Sequence, residues 1–351
     1  MKIFYGMSDR GDLQEALRGL SAPKLIIMMS NGDAFERHVE ELEAAFPGVP
    51  SIGCIAMGYH QKVVEKGVAI VGFTEGLAAR ANVLESVSIM PALHIERLET
   101  DIRELSPGRE DTAIIDFCAG NDAGVLSTIT PLANSHNIQL MGGTGDGAKV
   151  AYHGKVYPDG CAYALIKNLG GRVKTYKENI YTPMEGIRLI ASKTDRSKYY
   201  IGELNGRSAK QVYMDLLHIP ESGIAKQTFK NPFGKMVGDD ICIISIKEVQ
   251  GGGICCFRQV NDSDILTLLE ARDIDEVAQE TIDKIRSDFH RISGVFSVNC
   301  LFRYLMFTEN GHLGNYLDKM SHLGMHCGLV GYGEHYNNQF VNQTMTCVVF
   351  E

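Results

Sequence analysis

Residues 111–118 read DTAIIDFC, an apolar run closed at both ends by polar residues. A strand buried on both faces has this composition, because layers above and below it leave no wet side to alternate. Its surroundings complete a pattern. Residues 122–135 read as a helix with a local kink or break at Pro131, and 138–147 (IQLMGGTGDG) and 160–166 (GCAYALI) read as two more strands. The unit is strand, helix, strand, strand.

The same order occurs on either side. Upstream, 24–29 (KLIIMM) precedes a helix over 33–46 that carries Phe35, Val39, Leu42 and Phe46 on one face, and strands over 50–57 and 67–73 follow. Asp33 and Glu36 have the spacing of a capping box. Downstream, 294–300 (GVFSVNC) leads to a helix carrying Leu313, Tyr316, Leu317, Met320 and Leu323, ended by Gly324; strands over 327–334 and 343–350 complete the copy. In each copy the second strand holds an apolar residue followed by glycine: Ile52-Gly53, Met141-Gly142 and Val330-Gly331. Glycine there permits close backbone approach. The expected fold is α/β, with repeated strand-helix-strand-strand units in right-handed connections forming two mixed-sheet domains.

Between the second and third copies the character changes. A strand over 168–180 is followed by Tyr181-Thr182-Pro183-Met184-Glu185-Gly186, which places a boundary between domains 1–185 and 186–351. Beyond it lie a strand ending at Asn205-Gly206, a short helix capped by Ser208, a hairpin around Gly251-Gly252-Gly253 and an amphipathic helix over 273–292.

The 351 residues are 44% hydrophobic and carry a net charge of −9 with no basic block. That composition argues against disorder and against a nucleic-acid partner. No apolar run approaches the roughly 20 residues of a membrane helix, and the N-terminus does not resemble a signal peptide, so a cytoplasmic protein without membrane insertion is expected. Nine cysteines without a Cys-x-x-Cys pair point to reduced thiols and no zinc site. His322 and His326 are separated by the helix-ending Gly324, which removes a shared helical face and leaves surface histidines. The stretch 142–149 lacks the Gly-Lys-Ser/Thr ending of a phosphate loop. Cys255-Cys256 reads as core.

Ligands of α/β sheets collect at the carboxyl ends of strands. Those ends hold Asn31, Cys118 with Asn121 and Asp122, and Cys300 with Arg303 after the first strands. After the second strands come Cys54, Gly143 with Asp146, and Glu334. Arg303 and Glu334 follow apolar runs so closely that each needs a counter-charge: they either pair with each other or receive a ligand. Arg303 is suited to clamp a carboxylate, Glu334 to receive an ammonium, and Cys300 to line the site. A cysteine hydrolase using Cys300 with His335 or His326 is the less favoured chemistry.

Phe296-Ser297-Val298-Asn299-Cys300-Leu301-Phe302-Arg303, then Gly331-Tyr332-Gly333-Glu334, then Asn342-Gln343-Thr344, resemble the C-terminal part of the FIST sensory domain family. Ile52-Gly53-Cys54, Met141-Gly142-Gly143-Thr144-Gly145-Asp146 and Tyr157-Pro158-Asp159-Gly160 resemble its N-terminal part. The resemblance implies FIST N-terminal-like residues 1–185 and FIST C-terminal-like residues 186–351. It also implies a non-enzymatic, intracellular sensory role in signal transduction, an amino-acid-like or carboxylate ligand, and a separate signalling partner. Strand ends and resemblance together give the candidate ligand set Cys54, Cys118, Gly143, Asp146, Cys300, Arg303, Glu334 and Asn342. A haem-binding gas or redox sensor is the alternative the resemblance leaves, with no cofactor singled out. Ile55-Ala56-Met57-Gly58-Tyr59 and Phe302 depart from the family pattern and add bulk near the expected site.

Overall fold

The computed structural model describes residues 1–147 and 149–351, and every count below is of those residues. The chain forms two compact units. One comprises Met1–Glu178, Ala278–Phe340 and Thr344–Glu351, the other Asn179–Val277 with Val341–Gln343. This division by compactness differs from the sequence boundary expected at 185: the last repeat returns to the first unit, because its strands pair with those of the first two repeats.

Each repeat contributes six strands to the first unit. The first has β1 (Lys2–Ser8), β2 (Leu25–Ser30), β3 (Ser51–Ile55), β4 (Met57–Tyr59), β5 (Val63–Val64) and β6 (Val68–Glu75). The second has β7 (Leu77–Glu85), β8 (Thr112–Ala119), β9 (Gln139–Thr144), β10 (Val150–Tyr152), β11 (Lys155–Tyr157) and β12 (Gly160–Asn168). The third has β13 (Val173–Asn179), β14 (Gly294–Cys300), β15 (His326–Gly331), β16 (Gly333–Tyr336), β17 (Gln339–Val341) and β18 (Thr344–Phe350). The helices are α1 (Leu13–Leu17) and α2 (Phe35–Ala45), α3 (Ile95–Leu105) and α4 (Asp122–Ser135), then α5 (Ile274–Asp288), α6 (Leu301–Glu309) and α7 (Leu313–Ser321).

The strands obey one rule three times. The central strand (β2, β8, β14) pairs in parallel with the strand after the helix (β3, β9, β15) and antiparallel with the last strand (β6, β12, β18). The intervening hairpin leaves its own sheet. Strand β10 pairs with β3, β16 with β9, and β4 with β15. The sheet orders are β1-β6-β2-β3-β10-β11, β17-β16-β9-β8-β12-β7 and β13-β18-β14-β15-β4-β5. Each repeat thus lends a hairpin to another, in a cycle.

Alternation along the strands sorts the side chains. One face of every sheet meets a shared core with Ile27, Phe73, Ile115, Phe117, Phe296 and Phe350. The opposite face carries Ile26 and Met28 against α2, and Ile114 and Cys118 against α4.

Register identifies equivalent positions. Gly53 stands opposite Met28, Gly142 opposite Asp116 and Gly328 opposite Ser297. A Cβ at Gly142 would lie 2.1 Å from the Asp116 carbonyl oxygen, and one at Gly328 1.9 Å from that of Ser297. The third conserved-geometry glycine is therefore Gly328, not Gly331 as the dipeptide pattern implied. The capping box is also absent: α2 begins at Phe35, and Asn31 Oδ1 accepts the Ala34 N–H at 3.0 Å instead. Helix α6, directly after β14, is an element the apolar periodicity did not announce.

The second unit is a largely antiparallel nine-stranded sheet, with Phe233–Val237, Ile265–Ala271, Leu189–Asp195 and Tyr200–Leu204 as successive neighbours. Ser208 caps Ala209–Leu217 as expected, and Leu189, Ile201, Tyr213, Phe233 and Leu268 form its core. The hairpin expected around Gly251 is present between Ile246–Gln250 and Gly253–Cys256.

Candidate functional site

Two residues beyond the marker glycine's partner, each central strand carries a polar or thiol side chain on its helix-facing side: Ser30, Cys118 and Asn299. Each meets a titratable residue of the following helix, and three buried nodes result.

In the first repeat Ser30 Oγ lies 2.7 Å from His38 Nδ1, and His38 Nε2 lies 2.9 Å from the Gly11 carbonyl. In the third, Asn299 Oδ1 accepts from Arg303 Nε at 2.9 Å while Arg303 Nη2 donates to Glu178. Arg303 and Glu178 are 0% and 1% exposed. The guanidinium stacks 4.9 Å from the Phe307 ring centroid and 5.5 Å from that of Tyr316, whose hydroxyl also donates to Glu178 at 3.2 Å. Beside it, Ser297 Oγ lies 2.7 Å from both Tyr59 OH and His326 Nε2. His326 is buried rather than on the surface, and burial pushes its pKa down to about 3.

The second node carries the most charge. His335 Nδ1 lies 2.7 Å from Asp116 Oδ2 and Nε2 lies 2.9 Å from Asp122 Oδ1. Burial opposes the imidazolium, but the two carboxylates prevail and raise its pKa to about 10. Asp122 also accepts from Thr144 Oγ1 at 2.5 Å. Its carboxylate is held below its ordinary range against the cost of burial, by His335 and Thr144. It occupies the first turn of α4, whose cap Asn121 accepts the Gly124 N–H at 2.9 Å, so the helix N-terminus favours the negative charge as well. Burial and the neighbouring carboxylates push the thiols of Cys118 and Cys161 up, so both are protonated.

Glu334, adjacent to His335 on β16, points to the other face. It accepts the Thr344 N–H at 3.2 Å and hydroxyl at 2.9 Å, with Cys300 and Arg303 as further electrostatic neighbours. Cys300 and Arg303 are thus neighbours of Glu334. Burial dominates and raises the Glu334 pKa to about 8 from an ordinary 4.5. The native state therefore holds this proton more tightly than the unfolded chain, and stability falls as pH rises from about 4.5 through 8. Glu334→Gln, which keeps an acceptor for Thr344, is expected to be more stable than the parent at pH 9 by roughly 2 kcal/mol and equal or weaker at pH 5. Urea unfolding at both pH values checks this; parallel pH slopes for the two proteins would contradict it.

The remaining candidates divide. Gly143 pairs with Glu334, and a Cβ there would lie 2.2 Å from the Gly333 oxygen, so glycine serves the approach of β16. Asp146 donates its N–H to the Ile55 carbonyl at 2.6 Å and accepts the hydroxyl of the exposed Tyr332. Cys54 is fully buried in the shared core. Asn342 belongs to the second unit. The imidazoles considered as bases for Cys300 are committed elsewhere, His335 to Asp116 and Asp122, His326 to Ser297.

Sequence reasoning missed Asp116, Glu178, Tyr59 and Ser297. Asp116 alone left a signal, a carboxylate in the middle of an apolar run. Three cavities of the first unit bear on haem, which needs a His, Cys or Tyr ligand in an apolar pocket. Those of 520 and 310 Å³ have no His, Cys or Tyr in their walls, and one of 360 Å³ has His153 and Tyr152 among polar groups. Among the described residues no group of three or more His, Cys, Asp or Glu is arranged to hold a metal ion, and no helix is long and apolar enough to cross a membrane.

No curated protein matches the chain. A crystal structure of chorismatase is similar over 99% of this chain and 98% of that one, at 10% identity and a TM-score of 0.37, too distant a likeness to carry an argument. The FIST N domain matches residues 24–207 and the FIST C domain residues 209–337. With nearly its whole length accounted for by these two domains, the chain belongs to the FIST family of sensory domains in signal transduction.

Proposed function

We propose that the protein senses a small carboxylate or amino-acid-like molecule at the second node, and passes the signal to a separate partner protein. The observation that carries this reading is the position of Asp122. Its side chain is 18% exposed, whereas His335 behind it is 0% exposed, as are Arg303 in the third node and His38 in the first. Asp122 is thus a carboxylate on a buried imidazolium and a helix N-terminus, reachable from solvent. An incoming carboxylate competes for those same partners, while Asp146 beside Tyr332 is placed to meet an ammonium group.

Displacing Asp122 alters the first turn of α4, which provides a mechanical response to binding. Arg303, the cation the sequence singled out, already has its carboxylate in Glu178; His335 takes over its proposed role as ligand counter-charge.

Asp122→Asn weakens the internal competitor while keeping a similar shape. Carboxylate and amino-acid binding, read as thermal stabilisation and by calorimetry, is expected to tighten about tenfold in this variant. Absence of binding by any of the tested acids in both proteins, or weaker binding in Asp122→Asn, would overturn the reading.

A further inference from the structure

The cyclic exchange of hairpins creates three equivalent junctions, each between a lent hairpin and the outer strand of the next sheet. Two are closed by side chains. At one, Tyr5 on β1 stacks on His60 with ring centroids 5.3 Å apart, and Asp9 pairs with Lys62 at 2.5 Å. At another, Lys177 on β13 lies 5.4 Å from the Tyr336 ring and 2.8 Å from Gln339, and Thr175 accepts from the Asn337 amide at 3.5 Å.

The junction between β10–β11 and β7 differs. Among the described residues no side-chain hydrogen bond, ion pair or ring contact joins them, and a cavity of 360 Å³ lies there. The sequence accounts for it. Tyr5 reaches the central strand through Val71 to Ile27, and by the same count Ala81 reaches it through Ala164 to Ile115. Alanine stands where the closed junction has tyrosine.

The cavity wall contains Asp101 from α3, 8% exposed, with Asn82, Arg80, Tyr152 and His153. Its two basic side chains already face carboxylates: Arg80 lies 2.8 Å from Glu104 and His153 3.5 Å from Glu43. Asp101 differs. Its hydrogen-bond donors are the Tyr163 hydroxyl at 2.7 Å and the Asn82 amide at 3.2 Å, both neutral. On the corresponding helix of the third repeat, α5, Asp288 receives the Tyr176 hydroxyl at 2.8 Å and also the Lys174 ammonium at 2.8 Å. A buried carboxylate favours a cationic partner, and among the described residues Asp101 makes no ion pair, Arg97 one turn earlier on α3 being bound to Glu85 at 2.9 Å.

We propose that this cavity is a binding site for a small organic ammonium ion, with Asp101 as its counter-charge and Ala79, Ala81 and Pro50 as its apolar wall. The site is separate from the second node and stands whether or not that node takes a carboxylate.

The probe is n-butylammonium at physiological ionic strength, followed by ligand-detected saturation-transfer NMR, with n-butanol and acetate as controls. Expected is binding of the ammonium ion that weakens about tenfold or more in Asp101→Asn and survives in Asp146→Asn. Ala81→Tyr, which installs the residue of a closed junction, should also abolish it, and circular dichroism of both variants reports whether they fold. Undiminished binding in folded Asp101→Asn, equal binding of n-butanol, or no binding of the ammonium ion to the parent protein would overturn the assignment.

Discussion

Arg303→Met is expected to lower the free energy of unfolding by about 3–5 kcal/mol, because it leaves a buried carboxylate without its cation. Methionine matches the volume of the aliphatic stem and keeps contact with Phe307 and Tyr316, so packing loss is the smaller part. The larger part is Glu178, 1% exposed, which retains only the Tyr316 hydroxyl among its hydrogen bonds described above. Removing both partners avoids the orphaned charge: Arg303→Met with Glu178→Leu should recover most of the loss. Urea unfolding of the single and double variants measures it. A single-variant loss below about 1 kcal/mol would mean that the pair is not the electrostatic unit its burial indicates.

The same pair shows where sequence reading stops. Arg303 was legible as a cation too close to an apolar strand to stay alone. Its partner was not, since Glu178 lies 125 positions earlier on an outer strand. The repeated strand-helix-strand-strand units were legible because strands covered on both faces read as apolar runs. The exchange of hairpins was not, because Met57–Tyr59 and Val150–Tyr152 are too short to carry a period. Gly331 drew attention through its apolar neighbour, whereas Gly328, set against the Ser297 backbone, is recognised only from register. Helix α6 lacked a starting signal for a similar reason: its N-cap is Cys300, which makes no side-chain capping bond.

The His335 node gives the second large effect and one with a distinctive pH dependence. His335→Phe leaves Asp116, 0% exposed, and Asp122 facing each other without a cation, and should cost about 3–5 kcal/mol near pH 6. The imidazole pKa is raised to about 10 from an ordinary 6.5, so its contribution is complete below about 6.5 and disappears as pH rises through 10. Asp122 is shifted the other way: its contribution is complete above the ordinary carboxylate value of 3.8 and is lost as pH falls through its lower native value. The stability difference between parent and variant should therefore peak between about pH 4 and 6.5 and shrink on both sides. Unfolding curves across that range distinguish this from loss of ring packing against Phe340, whose centroid lies 6.0 Å away. Packing loss alone would give a difference that does not change with pH, and such a flat profile would rule out a charged imidazole between the two aspartates.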